Sequence, residues 1–292
     1  MKKTKILIPI FNDWKSLFTL LEHIDNEIEK LEEEISVLII NDASSEKKPK
    51  NSYIYKNLKS IKIINMKKNK GHARCIASGL KYINEKENFD YVIPMDGDGE
   101  DRPFELVPLL LKAYQNPTKA VTGNRIKRSE GLFFRLCYQF HKFLTYIFTG
   151  QSIKFGNYSC LPKHIVSKMV NEPATWSSFS GALTKVTKDR VSISSTRGSR
   201  YFGPSQMNFV NLLKHSLSII AVFKTVVLIR SIIFLTIYLF LIFEYLSIIV
   251  LIPFFIVFIM MILTFILSKR ENLPELNSSL DNIETIENIK IN

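Results

Sequence analysis

DYVIPMDGDGED, at residues 90–101, joins a short apolar run to four carboxylates that fall within six residues. Such a run, bounded by polar residues and glycine, predicts a buried strand. Open α/β sheets bind ligands at the carboxyl ends of their parallel strands, and carboxylates this close repel one another unless a cation lies between them. The expected occupant is therefore a divalent metal carrying a phosphorylated substrate, because hard cations bind oxygen and keep positions open for phosphate. An acidic surface turn is the alternative interpretation.

The composition suits a soluble domain joined to a membrane segment. The 292 residues can form one sizeable α/β domain and something more, and 46% of them are hydrophobic. Residues 226–267 are almost wholly apolar, whereas the first 200 are typical of a soluble protein. Three cysteines lack the spacing of a metal site, which predicts reduced thiols in a cytosolic environment. The basic start precedes only a short apolar run broken by Pro9, which favours a first strand over an export signal.

The net charge is strongly basic. It is +12 for the whole chain and +14 for residues 1–267, because the remaining tail holds three basic and five acidic residues. Nucleic acid is one partner for such a surface. Anionic lipid headgroups and sugar-nucleotide phosphates explain it more economically beside an apolar hairpin. We therefore expect membrane lipid, and no nucleic acid, among the partners.

Strand-like and helix-like runs alternate over the first 125 residues. Strands are predicted at 5–10, 35–40, 61–65, 91–95 and 120–123, and helices at 14–33, 73–85 and 103–114. This alternation predicts a mostly parallel sheet covered by helices on both faces. Residues 126–204 are less regular, with predicted helices at 132–149 and 162–170 and strands at 152–161 and, on an edge, 191–195.

Two apolar spans are predicted at 226–243 and 246–267, with Glu244 and Tyr245 as the far turn of a hairpin. Arg230 can snorkel near the start of the first span, and Pro253 is tolerated as a kink in the second. Basic residues flank both membrane entries, so the positive-inside rule predicts a multi-pass inner-membrane protein with the catalytic body and both termini in the cytoplasm. A buried helical hairpin in a soluble protein is the alternative.

The chain thus divides into four parts. We predict an α/β catalytic domain at 1–204, an amphipathic helix along the membrane surface at 205–224 and a transmembrane hairpin at 225–267. The acidic tail, residues 268–292, is expected to be disordered and cytoplasmic. Homo-oligomer formation through the hairpins stays open.

Three further polar clusters lie where a nucleotide site would form. They read PIFND at 9–13, NDASS at 41–45 and NKGHAR at 69–74. An aspartate after the second strand can accept hydrogen bonds from a base or ribose. A glycine with basic residues at a helix start suits a diphosphate, because free N–H groups and the helix dipole both favour anions. Each motif alone is equally well explained by local structure, whereas their order and spacing together favour a nucleotide site.

These motifs resemble those of the family 2 glycosyltransferases with the GT-A fold, particularly the membrane-anchored polyprenyl-phosphate glycosyltransferases and dolichyl-phosphate mannose synthase. The similarity runs from residue 5 through the hairpin. Its most specific parts are Asn69-x-Gly71-His72-x-Arg74 with Gly79, and residues 96–103 (DGDGEDRP), 123–128 (GNRIKR), 155–159 (FGNYS), 197–203 (RGSRYFG) and 205–209 (SQMNF).

The resemblance implies a nucleotide-sugar donor and a Mg²⁺ or Mn²⁺ cofactor. It implies that Asp96 and Asp98 hold the metal and that Pro9, Asp42 and Asn69 surround the nucleoside. With the neighbouring motif residues, the predicted donor-binding set is Pro9, Asn12, Asp42, Asn69, Gly71, Arg74 and Asp96. Three residues depart from the family pattern: Asp13 stands where glutamate is frequent, Asn41 replaces the first of two usual aspartates, and Asn157 occupies a place often held by aspartate.

Basic residues beyond the donor site suit an anionic acceptor, because a guanidinium group binds phosphate through two N–H donors. We predict catalytic roles for Asp98, Arg125, Arg197 and Arg200, with the arginines orienting an acceptor phosphate toward the anomeric carbon. Lys127 and Arg128 are either part of this set or ordinary charge that faces anionic lipid.

The predicted function is metal-dependent transfer of a sugar from a nucleotide sugar to a membrane-bound polyprenyl phosphate, and the resemblance implies inversion at the anomeric carbon. An alternative acceptor is a sugar hydroxyl on a lipid-linked or cell-surface glycan, which needs a general base such as Glu100 or Asp101. The non-enzymatic alternative is a membrane scaffold without turnover. A dinucleotide oxidoreductase is disfavoured, because no Gly-x-Gly-x-x-Gly follows the first strand.

Overall fold

The computed structural model describes residues 1–127, 132–204 and 209–290. Within these ranges the strands are β1 (Lys3–Ile10), β2 (Glu34–Asn41), β3 (Ser60–Met66), β4 (Tyr91–Pro94), β5 (Ala120–Lys127), β6 (Phe155–Pro162), β7 (Arg190–Thr196) and β8 (Ile283–Lys290). The helices are α1 (Trp14–Glu27), α2 (His72–Lys86), α3 (Leu106–Gln115), α4 (Leu132–Thr149), α5 (Lys163–Met169), α6 (Phe179–Val186), α7 (Phe209–Ala221), α8 (Lys224–Ile242), α9 (Ile248–Ser268) and α10 (Leu273–Asn277).

All eight strands belong to one mixed sheet in the order β7-β5-β6-β4-β1-β2-β3-β8. The central strands β4, β1, β2 and β3 are parallel, as the alternation of strands and helices predicts. β6 is antiparallel to both β4 and β5, whereas β7 pairs with β5 in parallel at the sheet edge. The predicted edge position of β7 is therefore confirmed.

Two apolar layers enclose the sheet, because successive side chains of a strand point to opposite faces. Ile6 and Ile8 of β1 pack with α1 and α3 on one face, and Leu7 packs with α2, α5 and α6 on the other. Both faces of the parallel strands are thus buried, which explains why these strands are continuously apolar in sequence. Gly79 of α2 permits close packing on this second face, since a Cβ there would lie 2.2 Å from Cδ1 of Leu7.

Two consecutive helices at the C-terminal side are long and apolar enough to cross a membrane. The segments Lys224–Tyr245 and Ile248–Asn277, which contain α8 and α9, have mean hydropathies of 2.6 and 3.1. Only 22% and 6% of their most apolar stretches are buried against the rest of the protein. A soluble core helix would be mostly buried, so this exposure argues against the alternative of a buried hairpin. A single 3₁₀ turn, Phe243–Tyr245, precedes the short connection to α9.

The helix before the hairpin ends earlier than predicted. α7 stops at Ala221 and α8 starts at Lys224, with a short turn between them, so the predicted amphipathic helix at 205–224 is shorter and separate from the span. Residues 205–208 of that prediction lie outside the described part of the chain. Leu217 and Ile220 of α7 pack against Phe148 of α4 and Val227 of α8. The membrane-side helices therefore form one packed group.

Arg230 lies within the first span, but its guanidinium group has a structural partner. Its Nη1 donates to the backbone oxygens of Ile147, at 2.8 Å, and Tyr146, at 3.3 Å. These carbonyls belong to the last turn of α4, where helix carbonyls lack partners within the helix. Arg230 thus caps the C-terminus of α4 and ties it to α8, in place of the predicted snorkelling to the interface.

The C-terminal tail is folded, which corrects the expectation that residues 268–292 are disordered. β8 pairs with β3 in an antiparallel ladder and covers the edge of the sheet. Leu276 of α10 is fully buried against Ala77 and Trp176, and Nε1 of Trp176 donates to Oε2 of Glu275 at 2.7 Å. Without the tail, β3 would be an edge strand with unpaired backbone N–H and C=O groups. Pairing with β8 gives these groups hydrogen-bond partners.

The sequence pattern of β8 explains why this strand was missed. Its apolar residues Ile283, Ile286 and Ile289 recur every third position, whereas a strand with one buried face shows a period of two. The ladder accommodates this spacing through two shifts of register against β3, between Ile61 and Lys62 and between Asn65 and Met66. Periodicity alone therefore did not predict a strand in this acidic segment.

Several predicted boundaries change by a few residues. The first helix ends at Glu27 and continues as a 3₁₀ turn to Lys30, β5 extends to Lys127, and α3 is preceded by a 3₁₀ turn at Pro103–Glu105. Besides β8, the helices α6 and α10 were not predicted. Both are short, and sequence periods are hard to recognise over fewer than three helical turns.

We expect Leu276→Ala to destabilise the protein by about 2–5 kcal/mol, because it removes a fully buried side chain from the contact between tail and domain. Thermal unfolding in detergent measures this as a lower midpoint. Ile286→Ala in β8 is the matched control, since 45% of that side chain is exposed, and its midpoint should stay near that of the wild type. Equal midpoints for Leu276→Ala and the wild type would contradict a docked tail.

Candidate active site

The candidate site lies where the loops after the four parallel strands meet. β1, β2, β3 and β4 run in the same direction, so their following loops all leave the sheet at its carboxyl edge. Each loop starts directly after buried residues, which fixes the position of its first side chains. Polar groups that are far apart in sequence are thereby held close together.

Asn12 connects the first two loops. Its backbone N–H donates to Oγ of Ser44 at 2.9 Å and its Nδ2 to Oγ of Ser45 at 3.1 Å. The N–H of Glu46 donates in turn to Oδ1 of Asn12 at 3.1 Å. Asn12 has a φ of 52°, a left-handed conformation that asparagine tolerates better than most residues. Its side chain therefore joins the loop after β1 to the loop after β2.

Asp42 holds the loop that leads into α2. Its Oδ1 accepts from the N–H of Lys70 and its Oδ2 from the N–H of Gly71, both at 2.8 Å. Gly71 has a φ of +94°, which favours glycine, and it is the first residue before the helix. Asn69, next to this clamp, is exposed. Asp42 is only 3% exposed, so its carboxylate serves chiefly to orient the start of α2.

The C-terminal tail fixes the beginning of the same loop. The N–H of Lys67 donates to the backbone oxygen of Asn282 at 2.7 Å, and Nδ2 of Asn282 donates to the backbone oxygen of Lys68 at 2.9 Å. The loop 67–71 is therefore bound at one end by the tail and at the other by Asp42. No feature of the sequence predicted this contact.

Arg74 lies one turn into α2 and is partly enclosed. Its guanidinium group stacks on Trp176 at 5.5 Å from the ring centroid, and its Nη1 donates to the backbone oxygen of Lys70 at 3.2 Å. Its buried Nε has no hydrogen-bond partner among the described residues. Arg74 therefore supports the loop and keeps a donor unused.

Pro9, the remaining predicted donor residue, is buried near the end of β1. Its backbone oxygen would lie 3.4 Å from a Cβ at Gly97. The loop after β4 thus passes directly over the end of β1, and a side chain at position 97 would be crowded.

Asp96 contacts polar side chains from two other elements of the fold. Its Oδ1 lies 3.3 Å from Nε2 of His72, at the start of α2, and 3.2 Å from Nδ2 of Asn157, in β6. The same Nδ2 lies 2.8 Å from Nε2 of His72. Three elements of the fold therefore converge on one carboxylate oxygen.

Asp101 and Arg125 form a buried ion pair behind this group. Asp101 is only 4% exposed, and its Oδ1 lies 3.3 Å from Nη2 of Arg125 in β5. Its Oδ2 accepts from the N–H of Asp96 at 3.0 Å. Arg125 thus joins the antiparallel part of the sheet to the acidic loop.

Arg197 and Arg200, in the loop after β7, also pair with acidic residues. Nε of Arg197 donates to Oε2 of Glu100 at 2.7 Å. Nη1 of Arg200 lies 2.8 Å from Oδ2 of Asp98, and its Nη2 lies 2.5 Å from Oδ2 of Asp13. The predicted acidic and basic motifs therefore meet directly, although about a hundred residues separate them in sequence.

Backbone contacts lock the two loops together. The N–H of Tyr201 donates to the backbone oxygen of Asp98 at 2.9 Å, and the N–H of Gly198 donates to that of Glu100 at 2.8 Å. Gly99 has a φ of +89°, and a Cβ there would lie 2.4 Å from the Tyr201 ring. Glycine at position 99 is thus required both by the backbone conformation and by this contact.

The charges of the cluster shift its pKa values in opposite directions. Burial alone would raise the pKa of Asp96, but the charges of His72 and Arg125 outweigh it and hold the pKa well below its usual range. Burial and the charge of Asp96 raise the pKa of Asp98 to about 6 and that of Asp101 to about 7. Burial lowers the pKa of His72, yet Asp96 reverses this effect and leaves the pKa raised. The negative charge of the cluster is thus concentrated on Asp96.

The structure brings the predicted site residues to one edge of the sheet. The donor-binding, metal and catalytic predictions all lie there: Pro9, Asn12, Asp42, Asn69, Gly71, Arg74, Asp96, Asp98, Arg125, Arg197 and Arg200. Three residues of the cluster were not in the predicted set: His72, Asn157 and Asp13. All three lie inside the sequence motifs described above, so their place in these motifs was the signal that could have identified them. Arg128 lies outside the described residues, as does the side chain of Lys127.

The carboxylates can hold a metal only together with other ligands. Across residues 1–127, 132–204 and 209–290, no three His, Cys, Asp or Glu side chains converge closely enough to bind an ion by themselves. Oxygen ligands from Asp96 and Asp98 suit Mg²⁺ or Mn²⁺, which normally keep positions for phosphate and water. The donor set therefore fits a metal that binds with a phosphorylated ligand.

A mostly parallel sheet with helices on both faces, and an acidic loop at the end of its central strand, defines the class of GT-A proteins. Residues 5–167 match the sequence profile of glycosyl transferase family 2. The chain belongs to this family, which confirms the family resemblance drawn from its motifs.

Two curated relatives are undecaprenyl-phosphate 4-deoxy-4-formamido-L-arabinose transferases. The protein of Photorhabdus laumondii is 26% identical over 228 residues, and that of Proteus mirabilis is 25% identical over 220 residues. Each alignment covers 73% of this chain and 65% of the relative. The chain therefore matches slightly less than two thirds of the length of these relatives.

Solved structures of the same fold include two synthases of low sequence identity. Glucosyl-3-phosphoglycerate synthase from Mycobacterium tuberculosis, in complex with Mn²⁺, uridine diphosphate and glucosyl-3-phosphoglycerate, has a TM-score of 0.54 at 10% identity, and the alignment covers 77% of this chain and 80% of that one. Mannosyl-3-phosphoglycerate synthase from Rubrobacter xylanophilus has a TM-score of 0.53 at 12% identity, with coverage of 77% and 73%. These similarities confirm the GT-A fold.

We expect Arg125→Ala to lower stability by about 1.5–3 kcal/mol, because it leaves the buried Asp101 carboxylate without its charged partner. Thermal unfolding of the purified protein measures the effect. Adding Asp101→Asn should restore part of the loss, since the unpaired charge is then removed. If Arg125 served only to bind an acceptor, Arg125→Ala would melt at the wild-type temperature.

Proposed function

We propose that this protein transfers a sugar from a nucleotide sugar to a membrane-bound polyprenyl phosphate at the cytoplasmic leaflet. The observation that carries the proposal is the contact between the acidic loop of residues 96–101 and three arginines, Arg125, Arg197 and Arg200. The loop suits a metal-bound diphosphate, and the arginines suit a second anion beside it. The names of the curated relatives, which include undecaprenyl phosphate, support the acceptor class.

The donor would bind along the carboxyl edge of the sheet. Asp42, whose two oxygens already accept from the N–H groups of Lys70 and Gly71, would hold the loop beside the nucleoside in place. The start of α2 would offer backbone N–H groups to the diphosphate. Asp96 and Asp98 would hold Mg²⁺ or Mn²⁺. When bound, the metal supplies Lewis-acid stabilisation of the charge that develops on the leaving nucleoside diphosphate.

The acceptor phosphate would approach from the arginine side. An oxygen of this phosphate forms the new bond to the anomeric carbon as the bond to the diphosphate oxygen breaks, with inversion. A phosphate is already ionised at neutral pH, so no strong general base is required. Arg200 has a buried Nε without a partner among the described residues, and its other nitrogens already define its orientation. The guanidinium groups would thus position the phosphate by fixed charge.

The alternative acceptor, a sugar hydroxyl, receives less support. Its two candidate bases are already engaged, since Glu100 pairs with Arg197 and Asp101 with Arg125. Asp101 is also almost completely buried, so it has little access to an incoming hydroxyl. A general base must reach the proton that it removes.

The membrane segment would hold the site at the level of the lipid headgroups. Helices α8 and α9 would span the bilayer, with the catalytic domain and the tail on the cytoplasmic side. α4 packs against them and exposes Phe140, Phe143 and Tyr146, which is typical of a helix at the interface. The docked tail supports this arrangement, because both ends of the hairpin connect to the same domain.

We expect radiolabelled sugar to move from one of the UDP-, GDP- or dTDP-sugars to polyprenyl phosphate in the presence of Mn²⁺, giving a lipid product labile to mild acid. Asp98→Ala should reduce the rate by roughly 10²–10³-fold, because it removes charge stabilisation at the diphosphate. Asp189→Ala is the control, since this exposed residue pairs with Lys119 away from the acidic loop. An extended oligosaccharide product would instead support the hydroxyl acceptor, and metal-independent transfer or none would contradict the proposal.

We expect a cysteine at position 245 and one at position 284 to lie on opposite sides of the membrane. In a background with Cys137 replaced by serine, a membrane-impermeant maleimide should label Tyr245→Cys in intact spheroplasts and Glu284→Cys only in inverted vesicles. Both positions are exposed, whereas the native Cys75 and Cys160 are buried. Labelling of both from the same side would rule out the hairpin.

A further inference from the structure

The side chains of Asp96, His72 and Asn157 form a compact triangle whose polar atoms hydrogen bonds alone do not satisfy. Its corners are Oδ1 of Asp96, Nε2 of His72 and the amide of Asn157, and its edges measure 3.3, 2.8 and 3.2 Å. The corners come from the loop after β4, the start of α2 and β6. Packing of three separate elements thus brings these atoms together.

The protons available cannot serve all three edges. If the Asn157 amide presents its nitrogen, it donates to both neighbours, and the lone pairs of His72 and Asp96 then face each other at 3.3 Å. If the amide is rotated by half a turn, Nε2–H of His72 can donate to both oxygens, but these oxygens then face each other at 3.2 Å. One edge stays unsatisfied in either arrangement.

A divalent cation would satisfy all three corners at once. An octahedral Mg²⁺ site with bonds of about 2.0–2.1 Å has edges of about 2.9 Å between adjacent ligand atoms. The observed edges of 2.8, 3.2 and 3.3 Å fit one face of such an octahedron, or of one around a slightly larger ion. A carboxylate oxygen, an amide oxygen and an imidazole nitrogen are all established ligands for divalent ions.

Asp98, the other predicted metal ligand, is less available. Its Oδ1 accepts from the N–H of Glu100 at 3.0 Å, and its Oδ2 pairs with Arg200 at 2.8 Å. By contrast, 49% of the His72 side chain and 20% of the Asp96 side chain remain exposed. The open side of the triangle could therefore admit water and the oxygens of a diphosphate.

We propose that His72, Asp96 and Asn157 form the resident face of the metal site, with imidazole, carboxylate and amide oxygen as its ligands. The assignment rests on the proposed function for the remaining positions, which Asp98, the donor diphosphate and water would fill. The imidazole selects Mn²⁺ over Mg²⁺, because nitrogen ligands favour transition-metal ions over a hard ion that prefers oxygen.

Direct metal binding tests this assignment independently of transfer. The full-length protein in detergent, first stripped with a chelator, is titrated with Mn²⁺ while electron paramagnetic resonance follows the free ion. We expect one bound Mn²⁺ per chain without nucleotide and weaker competition by Mg²⁺. His72→Ala and Asn157→Ala should each raise the Kd at least about tenfold, since even outer-shell partners change metal affinity by that factor.

Two further measurements identify the ligand atoms themselves. Pulsed electron paramagnetic resonance of bound Mn²⁺ should show coupling to an imidazole nitrogen in the wild type, and this coupling should vanish in His72→Ala. Asn157→Asp should retain or increase affinity, because an oxygen ligand stays in place. If Asn157 acted only as a hydrogen-bond donor to Asp96, the same variant would lose affinity as Asn157→Ala does.

His164→Ala and Asn171→Ala serve as matched controls, because these residues lie on or just after α5, outside the triangle, and should bind Mn²⁺ like the wild type. A wild-type protein that binds no Mn²⁺ without nucleotide, or triangle variants with unchanged affinity, would overturn the assignment. Loss of binding in Asp98→Ala but not in the triangle variants would place the metal on Asp98 instead. In each of these cases transfer activity can persist, so failure of the assignment is distinct from failure of the proposed function.

Discussion

The structure depends on the compensation of negative charge at the end of β4. Asp96, Asp98, Glu100 and Asp101 are held within one short loop, where their repulsion would be large without positive partners. The compensating arginines come from β5 and from the loop after β7, which belong to the other half of the sheet. The same ion pairs that stabilise the acidic loop therefore join the two halves. Three arginines are gathered beside the acidic loop as a consequence of this requirement.

The two apolar helices α8 and α9 are connected to the α/β domain on both sides. Before them, α7 and α4 pack against α8, and Arg230 caps the end of α4. After them, the tail docks on Trp176 and pairs along β3, where Asn282 holds the loop that precedes Gly71. The loop before Gly71 is thus held by a residue, Asn282, that lies 14 positions after the end of α9 at Ser268. A hairpin attached at one end alone would leave the active site free to change its depth relative to the lipid headgroups.

Much of this architecture was predictable from local patterns. The apolar strands, the helix faces and the loop chemistry at positions 41–45, 69–74 and 96–101 each have a short-range signature. What local patterns cannot give is the partner of a charged residue. Arg200 meets Asp98 and Asp13, and Asn157 meets Asp96, only because distant strands lie side by side. Strand β8 shows the same limit. Its isoleucines recur at every third residue, and this spacing fits the ladder with β3 only because the register shifts at two points.

The charge balance of the cluster explains why a cation and a donor should bind together. Five carboxylates, from Asp13, Asp96, Asp98, Glu100 and Asp101, stand against three guanidinium groups, from Arg125, Arg197 and Arg200. These groups leave a formal excess of two negative charges, which protonation of His72 lowers to one. The raised pKa values of Asp98 and Asp101 are the cluster's response to that excess. A divalent ion removes the excess, whereas a nucleoside diphosphate alone would increase it. Under the proposed function, the donor would therefore bind after, or together with, the cation, and the arginines would then be freer to bind a second anion.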